Sequence, residues 1–228
     1  MAIDKNIGVN IATAPGILRK LADGREYRNI SLKELRALDP VQDGDYIVEG
    51  YATTFNHVYR LYDGTYYKVD EQIDPHAFDE CDMSDVIVQY DHCGRVFART
   101  KNGTLTLTVD SHGLRCRINL GGTEIGRQLY EEIKGGYTDK MSFGFIVAED
   151  TRVVTEDHET GVETVLRTIT KIKKLYDVSA VSLPANDATE ISARSFCDGL
   201  IAELTEERRK AEQTRNHTNT LKLLLEVI

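Results

Sequence analysis

The feature that most constrains this chain is a succession of short, strand-like stretches between residues 45 and 184. Apolar and polar residues alternate in most of them, as in "DYIVEGYATTF" (45–55), and turn residues such as glycine and asparagine separate them. One stretch in this region, "GTEIGRQLYEEIKGG" (122–136), instead repeats apolar residues every four positions, as an amphipathic helix does. The pattern predicts a mainly β fold with few helices, built as a closed or partly open β-barrel or as a sandwich.

Two dipeptides predict tight turns in this region. Asp63-Gly64 predicts a turn, and Asn102-Gly103, between "RVFART" and "TLTLTVD", predicts a two-residue hairpin of type I′. A further hairpin is predicted around "EDHETG" (156–161). Gly50 is expected to mark a bend or bulge in its strand. Upstream, "YRNISLKELRAL" (27–38) combines a capping-box spacing with alternation, and we favour strand.

The segments flanking this β region differ from it, which divides the chain into three predicted parts. Residues 1–25 are small, polar and without a clear period, so we expect a flexible N-terminal arm. Residues 26–196 are the predicted β-barrel domain. In residues 197–228 the apolar spacing becomes helical around Leu200 and a charged run follows, which predicts a helical C-terminal tail that docks or pairs with something.

Charge and cysteine content narrow the classes of function. The net charge is −9, whereas a dedicated nucleic-acid binder needs a cationic surface, so no dedicated nucleic-acid binding is expected. No apolar run approaches about 18 residues, which predicts a soluble, cytosolic-type protein with no membrane partner. No cofactor or metal is predicted. The four cysteines form no C-x-x-C pair, which argues against structural zinc and favours a reducing compartment; they are Cys81, Cys93, Cys116 and Cys197.

Ser142, in the strand-like stretch "KMSFGF" (140–145), is a candidate nucleophile. On an extended strand Lys140, Ser142 and Gly144 point to one side, while Met141, Phe143 and Phe145 point to the other and would pack into the core. Because Gly144 has no side chain, a substrate backbone could approach the hydroxyl. No G-x-S-x-G motif surrounds the serine, and the segment taken alone favours the simpler interpretation of a polar position on a half-solvated strand.

His92 and Asp177 are the candidate base and its orienting carboxylate. His92 follows the apolar strand "DVIVQY", and an imidazole with a pKa near neutrality suits a general base, although a structural histidine is common at a strand end. Asp177 interrupts the apolar stretch "LYDVSAVSL", and a buried acid needs a partner, which could be a histidine N–H or a nearby lysine. A serine hydroxyl requires a positioned base, and the base requires an orienting group, so the three residues make chemical sense together.

The order of motifs resembles the prohead (head-maturation) protease family of tailed phages, which is similar in fold to the herpesvirus assemblins. The resemblance covers roughly residues 45–194 and rests on the ordered motifs "VEGYATTFN" (48–56), "EQIDPHAFDE" (71–80), "VIVQYDH" (86–92), "GLRCRINL" (113–120), "KMSFGF" (140–145) and "YDVSAVSLPAN" (176–186). It implies a serine endopeptidase on a herpesvirus-protease-like β-barrel flanked by helices.

The resemblance also implies roles for individual residues. The family's general base carries onto His92 and its nucleophile onto Ser142. The third position is usually glutamate in the family and is Asp177 here, with His112, Asp91 and Asp139 as alternatives for that role. His76 stands where the family's Pro-Gly-Ala-Phe loop has glycine, which bears on the conformation of the turn.

The implied substrates are the scaffolding segment of the procapsid, the capsid protein fused to it, and the protease itself. The implied location is the assembling procapsid in the host cytoplasm, and the implied state is a homo-oligomer, a dimer or larger. Two other hypotheses stay open at this point. The barrel could be a non-catalytic assembly module, or Cys93 could act as a nucleophile beside His92, although adjacent residues on an extended chain point to opposite faces.

Overall fold

The computed structural model describes residues 24–30, 35–40 and 46–181, together with positions 197, 199–203, 205–206, 209–210 and 213–214. The predicted flexible arm lies outside the described residues except for residues 24 and 25. The described chain contains eleven strands and one helix with defined bounds: β1 Glu26–Ile30, β2 Arg36–Ala37, β3 Ile47–Thr54, β4 Tyr59–Asp63, β5 Tyr67–Ile73, β6 Ile87–Tyr90, β7 Cys93–Arg99, β8 Leu105–Val109, β9 Gly113–Asn119, α1 Glu124–Lys134, β10 Lys140–Glu156 and β11 Glu163–Val181.

The strands form two sheets. The seven-stranded sheet runs in the order β1-β10-β11-β5-β4, with β6 also paired to β11 and β7 paired to β6. The long strand β11 pairs in parallel with β5 through its first half and in parallel with β6 through its second half. The four-stranded sheet has the antiparallel order β2-β3-β9-β8. The prediction of a mainly β fold with few helices is therefore confirmed.

Among the described residues the two sheets are not closed into a barrel, so the closed barrel of the prediction is wrong. The reason lies in the pairing of the strands that would have to join the sheets. β7 pairs with β6 in the larger sheet, and the next strand, β8, pairs with β9 in the smaller one. The chain therefore crosses from sheet to sheet at this point, and one core cluster fills the space between them.

The prediction of a hairpin at Asn102-Gly103 is wrong because the two flanking strands, β7 and β8, pair with strands of different sheets. Residues Thr100–Asn102 form a single 3-10 turn that Gly103 ends with a φ of 74°. A type I′ hairpin turn requires a positive φ at both central residues, and only the glycine of this pair has one. The turn is thus a crossover between sheets, although its dipeptide is typical of a hairpin.

The two other predicted turns and the upstream strands are confirmed, whereas the predicted position of the bulge in β3 is wrong. Asp63-Gly64 lies in the turn that joins the antiparallel pair β4 and β5, and "EDHETG" lies in the turn between β10 and β11. The segment 27–38 supplies β1 and β2, as favoured, and residues 31–34 between them lie outside the described residues. The bulge in β3 falls between Tyr51 and Thr53 and not at Gly50.

The helix α1 begins and ends as its sequence predicts. The Thr123 hydroxyl accepts a hydrogen bond from the Gly126 N–H at the N-terminus. Leu129 and Ile133 are buried against the core, and Gly135 and Gly136 follow the last turn.

The described positions from 197 to 214 are helical, as predicted for the tail, and residues 215–228 lie outside the described part. Cys197 and Leu200 are buried and cluster with Val69 of β5 and Val165 of β11, so the start of the tail packs on the larger sheet. None of the described helices is long and apolar enough to span a bilayer.

Candidate active site

His92 lies in the two-residue turn that connects β6 to β7. Tyr90 pairs with Cys93, and the intervening Asp91 and His92 have φ values of 47° and 55°. Positive φ at both central residues is the requirement of a type I′ turn, which the sequence analysis placed elsewhere. A non-glycine residue in this region costs about 1 kcal/mol or more, and such strain is concentrated at functional sites. The turn directs the imidazole inward, where only 3% of the residue is exposed.

Ser142 lies on β10, between β1 and β11 in the larger sheet. As predicted, Met141, Phe143 and Phe145 belong to the core on one side of the strand. The other side is not half-solvated, because Ser142 is completely buried. Its Oγ lies 2.5 Å from Nε2 of His92 and 2.8 Å from the carbonyl oxygen of Arg28.

Asp177 lies on β11 and is in register with Gly144 of β10. Its Oδ2 lies 2.5 Å from Nδ1 of His92 and also accepts a 2.9 Å hydrogen bond from the Ser179 hydroxyl. An ionised carboxylate can only accept hydrogen bonds, so Nδ1 carries the ring hydrogen and Nε2 of the neutral imidazole is the acceptor. Carboxylate, imidazole and hydroxyl are thus connected in the order that lets the ring take the proton of the serine.

Gly144 makes this arrangement possible, but not in the way that the sequence predicted. The space beside it is not open to a substrate. A Cβ at this position would lie 2.4 Å from Oδ1 of Asp177 and 2.7 Å from the Tyr27 ring. The missing side chain therefore admits the carboxylate and the aromatic ring to the face of the strand that carries Ser142.

The alternatives for the third position have other contacts. The ring of His112 packs edge-on against Tyr51 at 4.6 Å, in the turn between β8 and β9. Asp139 is partly exposed and forms an ion pair of 3.9 Å with Lys140. Asp91 precedes the histidine in its turn. The hydrogen bond to Nδ1 makes Asp177 the best candidate of the four.

Cys93 does not take the place of the nucleophile. The residue is exposed, and its thiol donates a 3.6 Å hydrogen bond to the Tyr90 carbonyl. Nε2 of His92 faces Ser142. The cysteine hydrolase hypothesis therefore has no support in this geometry. Within the described residues no cluster of histidine, cysteine and acidic side chains could hold a metal ion.

Sequence reasoning missed two residues of the site. Ser179 shares a face with Asp177 at a spacing of two, which was a usable signal for a second hydrogen bond to the carboxylate. Tyr27 on β1 packs its ring edge-on against His92, with centroids 4.5 Å apart. No local pattern predicts that contact, because β1 and the histidine are distant in sequence.

A comparison with protein-family models supports what the geometry suggests. Residues 32–199, well over half of the chain, match the model of the caudovirus prohead serine protease. Neither the curated proteins nor the solved structures contain a match, so the likeness to herpesvirus assemblins stays a prediction. On the strength of the family match, this chain belongs to the caudovirus prohead serine proteases.

Proposed function

We propose that the chain is a serine endopeptidase in which Ser142 is the nucleophile, His92 the general base and Asp177 the carboxylate that orients the base. The observation that carries the proposal is the pair of 2.5 Å contacts that both ring nitrogens of His92 make, one with Ser142 and one with Asp177. Membership of a serine protease family supports it independently.

In this mechanism Ser142 Oγ attacks the carbonyl carbon of a peptide bond while Nε2 of His92 takes the hydroxyl proton. The imidazolium that forms is stabilised by Asp177, and it then gives the proton to the leaving amine. Water attacks the resulting acyl-enzyme with His92 again acting as base, which releases the new carboxylate and restores the serine. Burial of all three groups strengthens these electrostatic interactions, because little water screens them.

The substrates that we propose are the scaffolding segment of the procapsid, the capsid protein attached to it, and the protease itself. The family supports this assignment, since a prohead protease acts while the prohead matures. The protein would then act inside the assembling procapsid in the host cell, as a homo-oligomer.

Active-site labelling tests the proposed function. A fluorophosphonate is expected to modify the full chain once, at Ser142, and mass spectrometry of the digested protein would locate the adduct. Ser142 is completely buried, so the probe reaches it only when the chain opens locally beside β1, but its histidine-bound hydroxyl should then react far faster than an exposed serine such as Ser111 of the β8–β9 turn. A non-catalytic assembly module would leave both serines unmodified and a co-expressed capsid-scaffold fusion uncut, and those two results together would end the proposal.

Substitution of Gly144 by alanine is expected to lower the rate of proteolysis about 100-fold. The new methyl group would overlap Asp177 Oδ1 and the Tyr27 ring, so the carboxylate must move, and a shift of about 1 Å in a catalytic group can cost that much. Gly122→Ala is the matched control, because a Cβ at Gly122 meets nothing within 4 Å. Equal rates of cleavage of a capsid-scaffold fusion by the two variants would contradict the role given to Gly144.

A further inference from the structure

The edge of the strand that carries the nucleophile is covered by β1. Residues 26–30 pair antiparallel with β10, with Asn29 opposite Ser142 and Arg28 opposite Phe143. β1 precedes the part of the chain that matches the family, which begins at residue 32. Extended peptides commonly bind proteins by adding a strand to a sheet edge, so β1 lies where a substrate strand would add beside Ser142.

The backbone of β1 is placed against the triad. The Ser142 hydroxyl contacts the Arg28 carbonyl oxygen at 2.8 Å, and the carbonyl carbon lies beyond that oxygen, one C=O bond of about 1.23 Å away, so a short movement of Oγ toward the carbon must precede attack. The carbonyl is half of the Arg28–Asn29 peptide bond. On the preceding residue, the Tyr27 ring contacts His92. The peptide bond of β1 whose carbonyl the hydroxyl contacts is therefore the one that follows Arg28.

The side chain of Arg28 enters a built anionic pocket. Its guanidinium forms a fork with Glu71 of β5, with Nε 2.5 Å from Oε1 and Nη2 2.9 Å from Oε2. Arg28 is 1% exposed and Glu71 is fully buried. The Tyr59 hydroxyl donates to the same carboxylate at 2.6 Å, and Arg167 of β11 donates to it at 2.8 Å.

The charges in this pocket favour a cation at the position of Arg28. Burial alone would lower the pKa of Arg28, but the charges of Glu71 and Glu26 outweigh it and raise that pKa above its usual value. For the acid Glu26 the effect of burial has the opposite sign and raises the pKa, but the charges and hydrogen bonds of Arg28 and Arg167 outweigh it and lower the pKa of Glu26 to about 2. A neutral side chain in place of Arg28 would leave the Glu71 carboxylate without one of its two guanidinium partners, which is unfavourable for a buried charge.

Building on the proposed protease function, we infer that β1 is bound as this chain's own substrate. The Arg28–Asn29 bond is the bond to be cut, and Glu71 selects a basic residue on the acyl side of the cleaved bond. Ser142 Oγ forms a bond to the Arg28 carbonyl carbon as its proton passes to His92, the C–N bond breaks, and the proton leaves with the Asn29 amine. One water molecule then hydrolyses the ester, giving a chain that begins at Asn29 and a fragment that ends in the Arg28 carboxylate.

Intact-mass spectrometry of the full chain after purification and incubation tests this inference. We expect a product that begins at Asn29. Arg28→Lys keeps the positive charge and should still be cut. Arg28→Met keeps a long side chain without the charge, and its rate of cleavage should fall at least about 100-fold. Arg36→Met, which changes an exposed arginine of β2, is the matched control and should leave cleavage after Arg28 unchanged. Glu71→Gln, with its fold checked by circular dichroism, should reduce the difference in the rate of cleavage after residue 28 between the chain with Arg28 and the Arg28→Met chain.

The outcome separates this inference from the proposed function. A chain that stays uncut at Arg28 while the fluorophosphonate labels Ser142 would overturn the inference and leave the protease assignment standing. Cleavage at the same rate in the Arg28→Met chain would overturn the role of Glu71. A chain that is neither cut nor labelled, and that also leaves a capsid-scaffold fusion intact, would overturn both. Product starting at Asn29 in the arginine and lysine chains, and not in the methionine chain, would support the inference.

Discussion

Ser142→Ala is expected to abolish proteolysis, with a fall of about 10⁴-fold or more in the rate of cleavage of a co-expressed capsid-scaffold fusion. The substitution removes the hydroxyl oxygen that lies 2.5 Å from His92 Nε2, so neither the covalent intermediate nor the proton transfer from the hydroxyl can occur. Only the slow uncatalysed reaction with water would remain.

The fold should survive this substitution. Alanine fits the space of the buried serine, and the variant loses the contacts of one hydroxyl, which lies within hydrogen-bond distance of both His92 Nε2 and the Arg28 carbonyl oxygen and can donate to one of them at a time, so the loss is about 1 kcal/mol. Thermal unfolding of the variant should therefore be close to that of the unmodified chain. Ser111→Ala, in the exposed β8–β9 turn, is the matched control and should retain full activity. Full activity in the Ser142→Ala variant would end the assignment of the nucleophile.

The local chemistry of the sequence predicted the types of the elements well. Alternation gave strands where the structure has β3, β9 and the start of β10, and the glycine-flanked apolar repeat gave α1. What it could not predict is which strands pair, because pairing depends on partners distant in sequence. β7 and β8 follow each other closely yet belong to different sheets, and no residue at the Asn102-Gly103 turn signals that separation.

The candidate site, too, could be predicted only in part. His92, Ser142 and Asp177 were predicted as one group from chemistry and from a family resemblance, and the structure brings them into contact, while their catalytic roles stay predictions. The cover of the site was not predictable. β1 reaches β10 across more than 100 residues, and Arg28 reaches Glu71 across 43. Only the assembled sheet shows that a segment read as an ambiguous strand lies against the nucleophile.

The turn between β6 and β7 illustrates how function can override local preference. The sequence "DHCG" carries no Asn-Gly or Asp-Gly signal, and yet Asp91 and His92 adopt the positive φ values of a tight turn. The strain is tolerated because the ring of His92 is fixed on three sides, by Asp177, Ser142 and Tyr27. Contacts formed by distant residues thus stabilise a conformation that the local sequence alone would disfavour.

Asp177→Asn is expected to lower the rate of proteolysis about 10³-fold or more while preserving the shape of the site. The amide has the volume of the carboxylate, but it carries no charge to stabilise the imidazolium of His92. In one of its two orientations its NH₂ group would also face Nδ1, which would force the hydrogen onto Nε2 and deprive Ser142 of its proton acceptor.

Asp139→Asn is the matched control for this change, because it makes the same substitution at a partly exposed residue whose observed contact is a 3.9 Å ion pair with Lys140. Its cleavage rate should stay within about twofold of the unmodified chain. The comparison decides the identity of the third catalytic group. If Asp177→Asn remained active and Asp139→Asn did not, the carboxylate that acts on His92 would be Asp139, which directly precedes the strand of Ser142. The contact between Nδ1 of His92 and Oδ2 of Asp177 would then be structural only.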